Sequence, residues 1–261
     1  MIATAFPVGF FAGLFGIGGG LITVPFLFFI FEALDVDKNY LMHLAVGTSF
    51  AIIIPTSLVS VYTHNKHKSV DPNIVKTYGL FVIIGVLIGT TFAAMAKTKL
   101  LVVFFTLVVF CLGTYLLINS NQQKISRNKF KLHFRVIFGL ISGFISAPMG
   151  VTGAMMNVPI LRYFGYPISV AIGSAAAIGL ITAFFGSLGF MISGFALNVS
   201  LPMSIGFINI PAFLIFIPIT TFMARFGANM VHTTDKNKTQ RMFGVFLYVI
   251  GTLFLIRFLD L

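Results

Sequence analysis

The stretch Gly13–Pro25, GLFGIGGGLITVP, lies inside an apolar run from Met1 to Phe31. Five of its thirteen residues are glycine and it closes on proline, the two residues least able to hold a regular helix. A second, weaker copy stands at Gly150–Pro159, GVTGAMMNVP. Without gaps, Gly16 matches Gly150, Gly19 matches Gly153, and Val24-Pro25 matches Val158-Pro159. A helix-breaking segment that occurs twice in a chain of apolar runs points to two structural repeats with function at the breaks.

The surroundings of these stretches define the solvent. The 261 residues are 58% hydrophobic and 9% charged, with mean hydropathy +1.02. Apolar runs of about 20 residues recur, each long enough for a bilayer core of ~30 Å. The expected class is an all-α polytopic membrane protein. Segments are expected at 2–31, 41–62, 74–96, 100–118, 136–164, 168–194, 203–224 and 242–259. The polar loop 119–135, NSNQQKISRNKFKLHFR, separates a first membrane repeat, 1–118, from a second, 136–261. The halves also match at Ala45-Val46-Gly47-Thr48-Ser49 against Ala171-Ile172-Gly173-Ser174-Ala175, and at Thr90-Thr91-Phe92 against Thr220-Thr221-Phe222. Tyr40, Tyr62, Tyr78, Tyr163 and Tyr166 sit near segment ends and read as interfacial anchors in a chain without tryptophan.

Charge selects the topology. If all eight segments cross once, the 17 Lys and Arg residues divide 9 against 8, with no positive side. If segments 1 and 5 each enter and return as a pair of half-helices, the division is 13 against 4. The second arrangement makes the loop 119–135 a basic cytoplasmic linker. It inverts the halves, each a broken or re-entrant helix pair followed by three transmembrane helices, and puts both termini on the non-cytoplasmic side. The net charge of +11 is spread through short loops, so it signals topology and anionic lipid rather than nucleic acid. The apolar N-terminus lacks the basic n-region and cleavage site of a signal peptide.

A broken half-helix leaves backbone N–H and C=O groups that are tolerable in a bilayer only where they line a cavity or ligand, and its N-terminus favours an anion. Gly18, Gly19 and Gly20 at the first break and Gly153 at the second are therefore candidate substrate-binding residues. Thr23, Thr152 and Asn157 flank the breaks, and Thr48, Ser49 and Ser174 occupy matched positions. Their hydroxyl and amide groups suit an oxyanion; each also suits a helix–helix hydrogen bond. Asn209, within the seventh segment ahead of Pro211 and Pro218, is either a pathway amide or a partner for carbonyls freed by the prolines. Arg162 and Arg225 could draw an anion to the cytoplasmic mouth, or simply snorkel.

Other chemistries find no constellation. All six acidic residues lie in loops or at segment ends, so no buried carboxylate carries protons. Glu32 and His43 bracket one loop, where a solvated role is expected. The histidines lack metal-ligand spacing, the single Cys111 permits neither an intrachain disulfide nor a cysteine metal site, and no phosphate-binding loop follows the glycines. Gly186-Ser187-Leu188-Gly189 lacks the spacing of a nucleophile elbow. No enzyme, cofactor or metal is expected.

The stretch Gly13–Gly20 with Val24-Pro25 and Ala45–Ser49 resembles the sulfite exporter TauE/SafE family, also called the toluene sulfonate uptake permease family. Gly150-Val151-Thr152-Gly153 with Val158-Pro159, and Ala224-Arg225-Phe226-Gly227-Ala228, extend the resemblance over nearly the whole chain. It implies an exporter or permease of the bacterial inner (plasma) membrane for small sulfur-containing anions such as sulfite, sulfonates or sulfoacetate. The residues themselves reach an inverted-repeat secondary carrier for a small anion, with membrane lipid as its other partner. A channel-like facilitator on the same scaffold, or a non-transporting assembly protein that docks through 119–135, are the alternatives. Whether a proton or sodium is coupled, and the oligomeric state, are not encoded in any residue pattern.

Overall fold

The computed structural model describes residues 1–15, 19–118, 130–231 and 236–260, without the side chains of residues 12–15, 224, 225, 227–231, 236–239 and 260. Among the described residues the chain is built almost wholly of helix: α1 (Ile2–Phe15), α2 (Gly20–Ala33), α3 (Leu41–Lys66), α4 (Pro72–Met95), α5 (Thr98–Ile118), α6 (Leu132–Met149), α7 (Ala154–Tyr163), α8 (Ile168–Ala196), α9 (Ile210–Val231) and α10 (Lys236–Asp260). One antiparallel hairpin, β1 (Ser204–Ile205) and β2 (Ile208–Asn209), precedes α9. Among the described residues six helices are long and apolar enough to cross a membrane: α3, α4, α5, α6, α8 and, over Gln240–Leu259, α10. The chain is an all-α polytopic membrane protein.

The outer surface carries the mark of a lipid solvent. On α4, Leu80, Ile84, Leu87 and Ile88 form an exposed apolar stripe at helical spacing, while Tyr78, Val82, Val86 and Ala93 are buried on the other face. In water such a stripe on a 24-residue helix would be polar. Cys111 also faces outward from α5.

Both expected breaks are present. Gly19 is left-handed (φ 79°) and starts α2, Gly150 (φ 65°) ends α6, and Gly153 (φ 67°) starts α7. A side chain at these dihedrals is strained, so glycine allows the chain to turn within a few residues. The half-helices are short. At 1.5 Å per residue α2 spans ~21 Å and α7 ~15 Å. Pro25 and Pro159 each stand at the sixth residue of their half-helix. Each removes an N–H that would have met the carbonyl four residues back, at Leu21 or Met155.

The second broken segment returns to the end it came from. Phe164, just beyond α7, stacks on Phe130, just before α6, with centroids 4.5 Å apart, and also touches Phe134 and Phe138. Helices then pair in a crossed pattern. The first of each group of five lies along the fourth of the other, α1 on α9 and α6 on α4; the thirds pair, α3 on α8, and so do the fifths, α5 on α10. Close approach of α4 and α6 depends on Gly85 and Gly89 on one helix and Gly139 and Gly143 on the other. A Cβ at Gly89 would stand 2.7 Å from the Phe144 carbonyl, and one at Gly143 would run into the carbonyl of Val82.

Four sequence expectations need correction. The seventh segment does not begin at 203: the hairpin turns at Gly206 (φ 57°), and the helix starts at Ile210. Thr90 and Thr220 are not structural equivalents, since Thr90 is the nineteenth residue of α4 and Thr220 the eleventh of α9. Tyr78 is no interfacial anchor but fully buried. His43 is not on a solvated loop: it is buried in α3, with Nε2 donating to the Ala93 carbonyl (2.9 Å) and its ring against Phe207.

Candidate functional site

The two breaks meet. A Cβ on Gly20 would lie 2.5 Å from the Gly150 carbonyl oxygen and 2.9 Å from Val151 Cα, so the start of α2 rests on the backbone of the second break. Gly150 in turn abuts Val24 and Val46. Ser49 on α3 donates to the Gly150 carbonyl at 3.0 Å and pins the break from a third side. A pocket of about 10 Å³, room for about one water, opens here between Leu21, Leu112, Val151, Gly153 and three methionines, Met149, Met155 and Met156.

Electrostatically the junction is set by helix ends. Neither Gly19 nor Gly153 supplies a side-chain cap. The first turns close on the cap carbonyls: Ile22 and Thr23 N–H donate to Gly19 O, and Met156 and Asn157 N–H to Gly153 O. The N–H groups of Gly20, Leu21, Ala154 and Met155 precede these bonds and lie at the positive ends of two helix dipoles. The carbonyls of Leu21 and Met155, freed by the prolines, add acceptors one step along. The free N–H groups at these starts suit an anion without a charged residue, while the Gly150, Leu21 and Met155 carbonyls beside them suit a donor.

The polar residues read from the sequence divide into two sets. Thr23 is buried and turns its hydroxyl back to Gly19 O (2.9 Å). Thr152 is buried against Gly179 of α8. Asn157 is buried on α7 within a network: its Oδ1 accepts from Tyr78 Oη (2.7 Å) and Ser142 Oγ (2.7 Å), and Ser146 Oγ donates to Ser142 O (2.6 Å). These residues, with Gly19, Gly20, Ser49 and Gly153, gather at the breaks. Gly18 lies outside the described residues, as does the Arg225 side chain.

Thr48, Ser174 and Asn209 belong elsewhere. Thr48 Oγ1 accepts from the Asn209 N–H (2.9 Å), and Ser174 Oγ accepts from the Asp71 N–H (3.0 Å). Asp71 and Asn209 are the residues before α4 and α9, the fourth helix of each group. The neighbouring glycines do matching work: a Cβ at Gly47 would hit the Phe207 carbonyl, and one at Gly173 the Ser69 carbonyl. The repeated Gly-Thr and Gly-Ser pairs thus seat helix starts. Asn209 is not at mid-helix; its Oδ1 accepts from Ala212 N–H (3.0 Å), an N-cap ahead of Pro211 in the first turn. Arg162 donates to the Tyr166 carbonyl (3.1 Å) in the turn after α7.

Three members of the Asn157 network escaped sequence reading. Tyr78 sits near a segment end, where a tyrosine reads as an anchor, and Ser142 and Ser146 lie in an apolar run without a motif around them. Their spacing of four was a usable signal, because it puts two hydroxyls on one face of an apolar helix just ahead of a break.

Residues 1–254 match the family model described as Sulfite exporter TauE/SafE. The chain belongs to the TauE/SafE family. Relatives of this TauE/SafE chain agree over nearly its full length. A "probable membrane transporter protein" of Haemophilus influenzae is 30% identical over 243 residues, 93% of this chain and 92% of the relative. A protein of Methanocaldococcus jannaschii, also described as a probable membrane transporter, is 27% identical over 258 residues, 98% and 94% of the two chains. No solved structure matches. The TauE/SafE chain is a membrane transporter, and the breaks carry the two glycine motifs of its halves.

Proposed function

We propose that this protein carries small sulfur-containing anions, such as sulfite, sulfonates or sulfoacetate, across the inner membrane by alternating access of two inverted halves. The observation that carries the reading is the meeting of the two breaks, where the start of α2 at Gly20 rests on the Gly150–Val151 backbone a few residues ahead of the start of α7. In this reading an anion binds at the free N–H groups of a half-helix start beside that contact, where the helix dipole favours it. The family name supplies the sulfur anion. Reciprocal pairing of first and fourth helices supports a two-fold relation between the halves, and the charge division of the sequence supports their inversion. The side to which the charge count of the sequence assigns 13 basic residues faces the cytoplasm in this reading, and both termini lie outside.

Sulfite uptake into proteoliposomes tests it. Wild type is expected to give saturable flux that rises when unlabelled sulfite is preloaded in the lumen. Gly20→Leu, which forces a side chain into the Gly150 carbonyl, is expected to lower that flux at least tenfold, with reconstituted amount and monodispersity matched. Equal flux in the two proteins would remove the breaks from the transport path; flux without saturation or counterflow would make the protein a channel.

A further inference from the structure

We propose that the second half alone supplies the side-chain donor for a substrate oxygen: the Asn157 amide, aimed at the start of α7 by Tyr78 of α4 and Ser142 of α6. This rests on the reading that the breaks hold an oxyanion, and it adds which side of the junction recognises it.

Asn157 is fully buried, yet its Nδ2 has no hydrogen-bond partner. Leaving a buried donor unmet destabilises the fold, so a retained orphan calls for an explanation. The rest of the side chain is held firmly. Two hydroxyl groups converge on Oδ1 at 2.7 Å each, one from α4 and one from α6. They fill the oxygen and fix the plane of the amide, which turns the NH2 group away from them.

The NH2 group turns toward the break. A Cβ built on Gly153 would lie 3.4 Å from Asn157 Nδ2, 3.1 Å from Ser142 Oγ and 2.6 Å from Ser146 Oγ. Three polar atoms therefore surround the residue that starts α7. The two hydroxyl protons are already spent, on Asn157 Oδ1 and on Ser142 O. The donors left are the Asn157 NH2 and the first N–H groups of α7, and their common complement is an oxygen bearing negative charge.

Among the described residues the first half shows no equivalent. In the glycine register, Asn157 corresponds to Thr23, whose hydroxyl is spent on Gly19 O, and Ser142 corresponds to Val8, a buried aliphatic residue. The backbone geometry is repeated, with Gly19 and Gly153 both left-handed, but the side-chain donor is not. Tyr78 is a positioning residue: it reaches the substrate only through Asn157, and it belongs to the helix on which α6 packs.

Equilibrium binding of radiolabelled sulfite to the purified full chain, with ligand-free melting measured beside it, tests the assignment. Asn157→Asp keeps an oxygen for Tyr78 and Ser142 and removes the NH2 group. It is expected to weaken sulfite binding at least tenfold, through the lost hydrogen bond together with the repulsion of a carboxylate placed beside the anion. Tyr78→Phe keeps the packing and is expected to raise the sulfite Kd and the transport KM about threefold or more, with maximal flux unchanged and the ligand-free melting midpoint lowered only by the one lost hydrogen bond. Thr23→Val is expected to stay within about twofold of wild type. Sulfite binding within twofold of wild type in Asn157→Asp, or an equal loss in Thr23→Val, overturns the one-sided site while the transporter reading stands. If Asn157→Asp fails to fold, Tyr78→Phe decides: wild-type Kd and KM in that variant overturn the proposal. Wild type that binds none of sulfite, sulfate and ethanesulfonate overturns the oxyanion reading, and this site with it.

Discussion

At the scale of single residues, the same chemistry serves two purposes. A serine or threonine hydroxyl beside a glycine can receive a ligand or a backbone N–H, and sequence does not separate the two. Thr48 and Ser174 were legible as a matched pair, but what they bind was not. Their partners, Asn209 and Asp71, lie more than 100 positions away. The glycines beside them are the sharper test. Gly47→Ala and Gly173→Ala each place a methyl against a backbone carbonyl that anchors a helix start, Phe207 or Ser69. Each is expected to cost about 1–3 kcal/mol, as overpacking does. Thermal melting in detergent should show a lowered midpoint for both, whereas Gly79→Ala, whose added Cβ meets Ile178 at an ordinary 3.7 Å, should melt with wild type.

At the scale of elements, the breaks were readable because glycine and proline act locally. Left-handed dihedrals at Gly19, Gly150 and Gly153 need no distant partner to be anticipated. The hairpin at 204–209 was not readable, because Ser-Ile-Gly-Phe-Ile-Asn continues the apolar composition of a span and its four strand residues are too few to show alternation. The start of α9 depends on Asn209 as that of α4 depends on Asp71, which accepts from Asn73 N–H (2.8 Å) and Ile74 N–H (3.3 Å) with Pro72 following. Asp71→Ala and Asn209→Ala are each expected to lose about 1 kcal/mol of stability. Melting of the single and double variants checks this, with near-additive losses expected for caps on different helices.

At the scale of the whole molecule, contacts sort the charges by end. Glu32 pairs with Arg257 at 3.4 Å, Lys99 lies over the Phe258 ring, and Thr98 donates to the Asn39 carbonyl, so Lys99 and Arg257 share an end with the α2–α3 loop that carries Lys38. Arg135 donates to Thr77 Oγ1, and Phe130 packs near Tyr166, which gathers the starts of α4 and α6 and the end of α7 at one end. In a Cys111→Ala background, Lys38→Cys is expected to react with a membrane-impermeant maleimide on intact cells, and Lys68→Cys only after lysis; both positions are exposed. The reverse pattern would invert the proposed orientation.

The crossed pairing of helices also fixes an order of events during synthesis. Helix α1 is made first, but its long contact face belongs to α9, which follows roughly 200 residues later. At 5–20 residues per second that is a wait on the order of ten to forty seconds. Throughout it the nascent chain holds an apolar half-length helix with Gly9 waiting for Thr220, whose Cα would stand 2.6 Å from a Cβ at that glycine. The earlier partner in the second crossed pair, α4, waits only for α6, the next helix but one. Maturation is therefore lopsided even though the pairing is reciprocal. The first crossed pair closes only once α9 has been made, after every residue of the break junction has already left the ribosome.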